Sequence, residues 1–442
     1  MRVRLTPLDS LLGFQKTIAA TWYFQKTIDA GQLRMSLARL VRRHPALGGR
    51  VMRPLGWHHS ALHGFQVCSH EGGPGVMHVR HEPGTSWDAA AVPDPKRQQI
   101  HHVPTAAVMS GRAPPFAAML TNFASGGSSL GIAMSHALVD AHGFYSVVRE
   151  WARLHAIDDD HFDDSDLIFD RECTEVAEER AAQLGTMAEV RALDLTSWRG
   201  SALFGMLRML SSGSSPPSVA PRTRLVLSRR DVNDLRRTCR VDGVRWRPSK
   251  AEALVASVAR AVTRSLRLPP AATCQLQMVF DARAACRLPG AYVGNAFHLL
   301  SAAPSAPPPH DVPLSEVLDG VHALSLRAFV GNTWDDPHSL AGGWLRHQQL
   351  LRAGRLPLPG GAGTASGAEA TAIIANYQAH LPAFRANFGA GSVLRVVPSA
   401  GDTLQMVAGA DGGVDVYLNL ARPLGNGPDL LARLREDVLD PR

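Results

Sequence analysis

His136 and Asp140 stand four positions apart in the stretch Ser135-His136-Ala137-Leu138-Val139-Asp140-Ala141-His142-Gly143. A neutral imidazole can take a proton from a hydroxyl or amine as that group attacks a carbonyl, and return it to the departing group. A carboxylate four residues on can orient the ring or pin the turn that carries it. Gly127-Ser128-Ser129-Leu130-Gly131 offers a competing chemistry, since it matches the G-x-S-x-G pattern of a nucleophilic serine, here Ser129. That motif demands a strand before the serine and a helix after it. The residues following Ser129 read instead as a strand running into His136, so the histidine is the stronger candidate.

The flanking elements decide where these groups can point. Phe116–Phe123 and Leu130–Ser135 are apolar, strand-like runs joined by the turn-forming Ser125-Gly126-Gly127-Ser128. Beyond Gly143, the residues Phe144, Val147, Val148, Trp151 and Leu154 recur at helical spacing. His136 is therefore expected at the end of a buried strand and Asp140 at the start of a helix, with Gly143 giving the turn room.

Composition bounds the remainder. A chain of 442 residues is too long for one ordinary core, and two domains are expected. With 45% hydrophobic and 19% charged residues it reads as a globular protein, and no apolar run reaches the roughly 18 residues of a membrane span. No export signal is evident, which points to the cytoplasm. The five cysteines (Cys68, Cys173, Cys239, Cys274, Cys286) are scattered, so neither a disulfide framework nor a zinc site is indicated. The net charge of +7 comes from dispersed arginines rather than a basic block, which argues against nucleic acid as a partner. The histidines between His58 and His102 lie in loop-like or strand-like sequence without an accompanying acid or cysteine set, and read as surface residues rather than metal ligands.

Taken in order, Leu33, Leu37, Leu40 and Val41 line one face of a short helix ended at Pro45. Residues Val176 to Leu195 are helical in composition, and Ser211 to Pro217 form the clearest linker. The expected division is residues 1–210, a linker at 211–221, and residues 222–442. In the second half, Ser249 and Glu252 make a capping box opening a helix whose buried stripe is Leu254, Val255, Val258, Val262 and Leu266. Leu276, Met278 and Phe280 alternate into a half-buried strand that runs into Asp281-Ala282-Arg283. Arg355 to Gly367 reads as a Gly/Pro/Ala loop, and Leu404–Ala408 with Val414–Leu420 as a hairpin before a last helix. Strands and helices mix without strict alternation, which favours two α/β sandwich-like domains over a doubly wound sheet.

Four segments in register then resemble one family. Ser36-Leu37 with Pro45 to Arg50, His136 to Gly143, Asp281-Ala282-Arg283 with Tyr292-Val293-Gly294-Asn295, and Asn376-Tyr377 with Asn387-Phe388-Gly389-Ala390-Gly391 are similar to the motifs of the BAHD acyltransferases. These belong to the wider CoA-dependent, chloramphenicol acetyltransferase-like superfamily. The resemblance implies an α+β chain of two similar sandwich domains with a channel between them, and a segment near residues 370–390 that crosses to the first domain. It implies acyl-CoA as co-substrate, no metal, and a small-molecule acceptor of secondary metabolism, bound by a monomer away from membranes. His136 would be the general base and no covalent enzyme intermediate would form. Asp140 would pair with Arg283 as a brace, and the Asn376 amide or Tyr377 hydroxyl would face the developing oxyanion. Ser249 is the candidate for a cofactor contact. Asn387, Phe388, Gly389 and Gly391 would support the site's shape, although Asn387 stands where the family carries an aspartate and Ala390 where it carries a tryptophan. Two alternatives within the resemblance are a carrier-protein-dependent, condensation-type acyltransferase and a catalytically degenerate acyl-CoA-binding protein.

Overall fold

The computed structural model describes residues 2–53, 62, 64–69, 76–82, 100, 103–157, 166–175, 179, 192–194, 223–241, 246–266, 273–302, 313–330, 336, 338–353, 355–357, 370–399, 403–418 and 428–439. In chain order the first half holds β1 (Arg2–Arg4), α1 (Pro7–Gln15), β2 (Thr17–Phe24), α2 (Ala30–Arg43), β3 (Arg50–Met52), β4 (Gln66–Cys68), β5 (Val76–Glu82), α3 (Thr105–Met109), β6 (Phe116–Phe123), β7 (Ser128–Ser135), α4 (Ala141–Ala156) and β8 (Ala192–Asp194). The second half holds β9 (Thr223–Leu227), α5 (Arg229–Val241), α6 (Lys250–Leu266), β10 (Thr273–Asp281), β11 (Phe297–Ser301), α7 (Leu314–Phe329), α8 (Leu340–Arg352), β12 (Arg355–Pro357), β13 (Ala370–Tyr377), β14 (Val393–Pro398), β15 (Leu404–Ala408), β16 (Val414–Leu418) and α9 (Pro428–Leu439).

Each half carries one large sheet and its own apolar core. The first sheet has the order β14-β2-β7-β6-β5 and the second β11-β10-β13-β15-β16-β9. β7 is buried along its whole length between β2 and β6, which fits the apolar run Leu130–Met134 at its centre. Gly126 and Gly127 take φ of 86° and 78° in the turn from β6 to β7, a left-handed geometry that glycine adopts without steric penalty. α4 buries Phe144, Val147, Val148, Trp151 and Leu154 against this sheet, the stripe expected from its spacing. α6 begins at the expected capping box, with Glu252 N–H donating to Ser249 Oγ at 3.2 Å and Ser249 N–H to Glu252 Oε2 at 2.7 Å.

The two halves interlock. β14 leaves the second half and joins the edge of the first sheet, pairing antiparallel with β2 so that Pro398 faces Ala20 and Val396 faces Trp22. The Trp22 indole N–H donates to the Ala383 carbonyl at 2.8 Å, and Tyr417 Oη donates to the Val396 carbonyl at 3.1 Å. Tyr23, Phe123, Val397, Val407 and Tyr417 form a small apolar cluster of their own from both sheets.

Two local readings are corrected. Ala192–Asp194, expected as the end of a helix, is a strand, and Arg355–Pro357, expected as loop, is its antiparallel partner. Pairing between segments this distant in sequence overrides local composition. Apart from Glu179, which is helical, the remainder of the expected helix lies outside the described residues, as do the linker at 211–217 and the loop at 358–367. Among the described residues no helix is long and apolar enough to cross a membrane, and no group of three metal-ligating side chains is present.

Candidate active site

β7 ends at Ser135, and the next residues turn tightly before α4. Ser135 N–H donates to the Pro115 carbonyl at 2.7 Å, and His136 N–H to the Lys16 carbonyl, just past α1, at 3.2 Å. The Ser135 hydroxyl accepts from Ala137 N–H at 3.2 Å, so the residue before the histidine is committed to holding the turn. Asp140 is the N-cap of α4 and accepts the Gly143 N–H at 2.9 Å.

Asp140 and Arg283, the pair that the family resemblance implies, lie in contact. Asp140 is 3% exposed, and its Oδ1 accepts from Arg283 Nη2 at 2.9 Å while Oδ2 accepts from Ala296 N–H at 3.0 Å. Arg283 spends its remaining donors on the Tyr292 carbonyl (2.8 Å), the Gly294 carbonyl (2.8 Å) and Asp281 Oδ1 (3.1 Å). Burial works against its charge, yet the Asp140 carboxylate and then Asp281 outweigh that and hold its pKa above the ordinary value. One guanidinium thus ties the start of α4 to the 292–296 segment and to the end of β10.

Gly143 is required for a reason the sequence did not disclose. It lies in the first turn of α4, and a Cβ there would run into the carbonyl oxygen and backbone of Val293. The glycine lets the helix seat directly on the segment that Arg283 grips. His142 bridges the same junction. Its Nδ1 lies 3.3 Å from Asp281 Oδ2 and its Nε2 3.0 Å from the Gly290 carbonyl. Burial would raise the Asp281 carboxyl, but the His142 hydrogen bond and Arg283 dominate and bring it down to about 2.

A second buried acid–arginine pair escaped the sequence reading. Asp9 of α1 is fully buried and accepts from Arg171 Nε at 3.0 Å, and Arg171 Nη2 donates to the Leu138 carbonyl inside the histidine turn at 2.8 Å. Asn295 joins this pair to the site, its Nδ2 donating to Asp9 Oδ1 and to the His136 carbonyl, both at 2.7 Å. Thr6 and Asp9 form a capping box that marks the helix start in the sequence, but nothing there signals an arginine 162 residues away.

The His136 ring is half-buried, and its Nδ1 is enclosed without a hydrogen-bond partner among the described residues. The Phe297 ring lies 5.7 Å from it, centroid to centroid. Burial lowers the His136 pKa from its usual 6.5; Asp140 opposes this, and Lys16 adds to it. Burial thus favours the neutral imidazole, the form that can accept a proton.

Asn376 and Tyr377 end β13, whose neighbour β10 pairs Asp281 with Phe297 of β11. Both are half-buried at the same end of the sheet as Phe297, and among the described residues no hydrogen bond joins either to His136. Phe388 is buried in the first core, edge-on to Trp151 at 5.1 Å and Phe24 at 6.1 Å. Asn387 Oδ1 accepts from Gly389 N–H at 3.0 Å, with Gly389 and Gly391 at φ of 73° and 82°. The asparagine thus anchors this turn through its side-chain carbonyl. Ser249 accepts the helix-capping bond described above, at an exposed helix start. Ser129 lies inside β7, paired with Tyr23 of β2 and Thr121 of β6, and is no strand-to-helix elbow.

A two-sheet α/β chain with a braced histidine where its halves meet is the architecture of the CoA-dependent acyltransferases. The chain belongs to the transferase family of BAHD-type acyltransferases, whose family model matches residues 2–421. It is similar to TRI101 of F. sporotrichioides, solved with coenzyme A and T-2, with a TM-score of 0.68 at 13% identity over 99% of this chain and 97% of that one. Vinorine synthase aligns with a TM-score of 0.59 at 15% identity over 98% of this chain and 91% of that chain. The first condensation domain of the CDA synthetase aligns with a TM-score of 0.56 at 15% identity, covering 100% and 97%. No curated protein matches the chain by sequence.

Proposed function

We propose that this acyltransferase moves an acyl group from acyl-CoA to a hydroxyl or amine of a small-molecule acceptor, with His136 as general base. The observation that carries the reading is the state of His136: a half-buried, neutral imidazole whose Nδ1 is enclosed, on a turn gripped by Arg171, Asn295 and the Asp140–Arg283 pair. With Nδ1 enclosed, Nε2 is the nitrogen offered to a substrate. It takes the acceptor's proton as that atom attacks the thioester carbonyl. The Tyr377 hydroxyl or Asn376 amide donates to the resulting oxyanion. Collapse expels the thiolate, which the imidazolium protonates, so the histidine ends neutral and no enzyme acyl bond forms.

Acyl-CoA supplies the activated thioester. The exposed start of α6, with Ser249, Lys250 and Arg247, offers a positive helix end suited to its phosphates, and the coenzyme A in solved TRI101 supports this co-substrate. The reading includes a metal-free monomer working in the cytoplasm on secondary-metabolite acceptors. The test is His136→Ala, assayed by free CoA release from acyl-CoAs against a panel of alcohols and amines. Transfer should fall at least 1,000-fold, an expectation on the order of what a general base contributes, with acyl-CoA binding by calorimetry retained. Undiminished transfer would refute the assignment.

A further inference from the structure

One group of polar side chains beside the site has no role in the mechanism above. His298 follows Phe297 on the edge strand β11, and strand alternation turns it to the face that carries buried Leu300. Its ring lies 6.2 Å from that of His347 on α8, the two planes at 72°. Both residues keep some accessible surface, and burial lowers their pKa to about 3 and about 4, with His347 adding to the shift of His298. Among the described residues no carboxylate contributes to either shift. Gln348, the next residue along α8, is 0% exposed and both its amide atoms lack hydrogen-bond partners among the described residues, as does the indole N–H of Trp344, buried about one turn back from both. Buried polar atoms are rarely left so in native proteins, and when they are the reason is commonly a ligand or ordered water. α8 packs on β11 and on α1, the helix whose end holds the His136 backbone, so these side chains stand on elements next to the His136 turn.

The chemistry on offer is narrow. Two neutral imidazoles and one carboxamide each donate and accept, and none carries charge. A hydroxyl also does both, whereas a carboxylate only accepts and an ammonium only donates. We propose that His298, His347 and Gln348 form a neutral hydrogen-bonding recess that binds a second, non-reacting hydroxyl of the acceptor and so selects uncharged, multiply hydroxylated acceptors. This rests on the transferase reading for its consequence in catalysis, but not for the existence of the site.

The full chain, labelled with 13C-histidine, is titrated with cyclohexane-1,4-diol, 4-methylcyclohexanol and 4-aminocyclohexanol, the two ring signals being assigned with His298→Gln and His347→Gln. The diol is expected to shift both signals saturably and to bind at least tenfold more tightly than the methyl or amino compound. Gln348→Leu should lose that preference while melting no lower than the parent, because it removes unsatisfied buried atoms; His347→Leu provides a second variant if the first fails to fold. Ring signals that do not move, or equal binding of the three compounds, would overturn the recess. Free CoA release from acetyl-CoA, measured on the same samples, separates the two readings. Shifted signals without release sink the transferase mechanism and leave the recess, and release with unshifted signals sinks the recess alone.

Discussion

Replacing Arg283 by alanine probes the brace most directly. Asp140 would keep two backbone partners, Gly143 N–H and Ala296 N–H, but would become a buried carboxylate without a counter-charge. The Tyr292 and Gly294 carbonyls would also lose their donor. Removing one member of a buried ion pair costs about 3–5 kcal/mol, which sets the expected loss of unfolding free energy. Removing Asp140 as well relieves the stranded charge and gives up mainly the helix cap, worth about 1 kcal/mol. Arg283→Ala with Asp140→Ala should therefore lie within about 1–2 kcal/mol of the single variant, far from additive. Urea unfolding of the parent, both singles and the double measures this, with the m-value checking that the transition keeps its character. Transfer activity should collapse in all three variants, since the His136 turn loses its grip on the 292–296 segment. A single variant within 1 kcal/mol of the parent, or strictly additive singles, would refute the reasoning.

Other expectations follow from the same contacts. Because burial holds the His136 pKa below 6.5, the acid limb of kcat/KM should have its midpoint below pH 6.5; a midpoint at or above that value argues against His136 as the base. His44, His298 and His347, lowered mainly by burial to about 4, 3 and 4, bind protons unfolded but not folded between pH 6.5 and about 4, so stability should fall as pH drops through that window. At about 1.4 kcal/mol per pH unit for each proton the limit is about 4 kcal/mol per unit, readable from denaturation midpoints. Gly143→Ala should lower stability by about 1–3 kcal/mol and activity with it, because its Cβ meets the Val293 carbonyl rather than a movable side chain. Asn387→Asp keeps the acceptor for Gly389 N–H and should change stability by less than about 0.5 kcal/mol, whereas Asn387→Ala should cost about 1 kcal/mol in the same unfolding assay.

What the sequence disclosed and what it withheld divide along a physical line. Local patterns survive folding. The glycine pair between β6 and β7, the Ser249–Glu252 capping box and the stripe on α4 were all legible, because each is fixed by neighbours within a few residues. The Asp140–Arg283 pair was legible only through family resemblance, since 143 residues separate its members. Asp9 and Arg171 carry no such flag. The pairing of β8 with β12 was missed for the same reason, and so was the use of Gly143 as a seat for the Val293 backbone. His298 and His347 looked like ordinary strand and helix residues until β11 and α8 were packed together.

The pattern of bonds around Asp140 bears on the chemistry itself. In a Ser–His–Asp arrangement the acid holds the imidazole and stabilises its protonated form. Here both Asp140 oxygens are taken, Oδ1 by Gly143 N–H and Arg283 and Oδ2 by Ala296 N–H, so the acid acts on the fold of the turn and reaches the ring only as a nearby charge. The ring is positioned instead through its backbone, with His136 N–H on the Lys16 carbonyl and the His136 carbonyl on Asn295, which is itself held by the buried Asp9–Arg171 pair. Such a histidine gains no strong push toward imidazolium in the resting state. As the proposed base it would become charged only while the acceptor's proton is in transit, when the tetrahedral oxyanion nearby would carry the balancing negative charge. A proton carrier that begins and ends neutral suits direct transfer between two substrates, and it removes the need for an activated serine or cysteine on the enzyme.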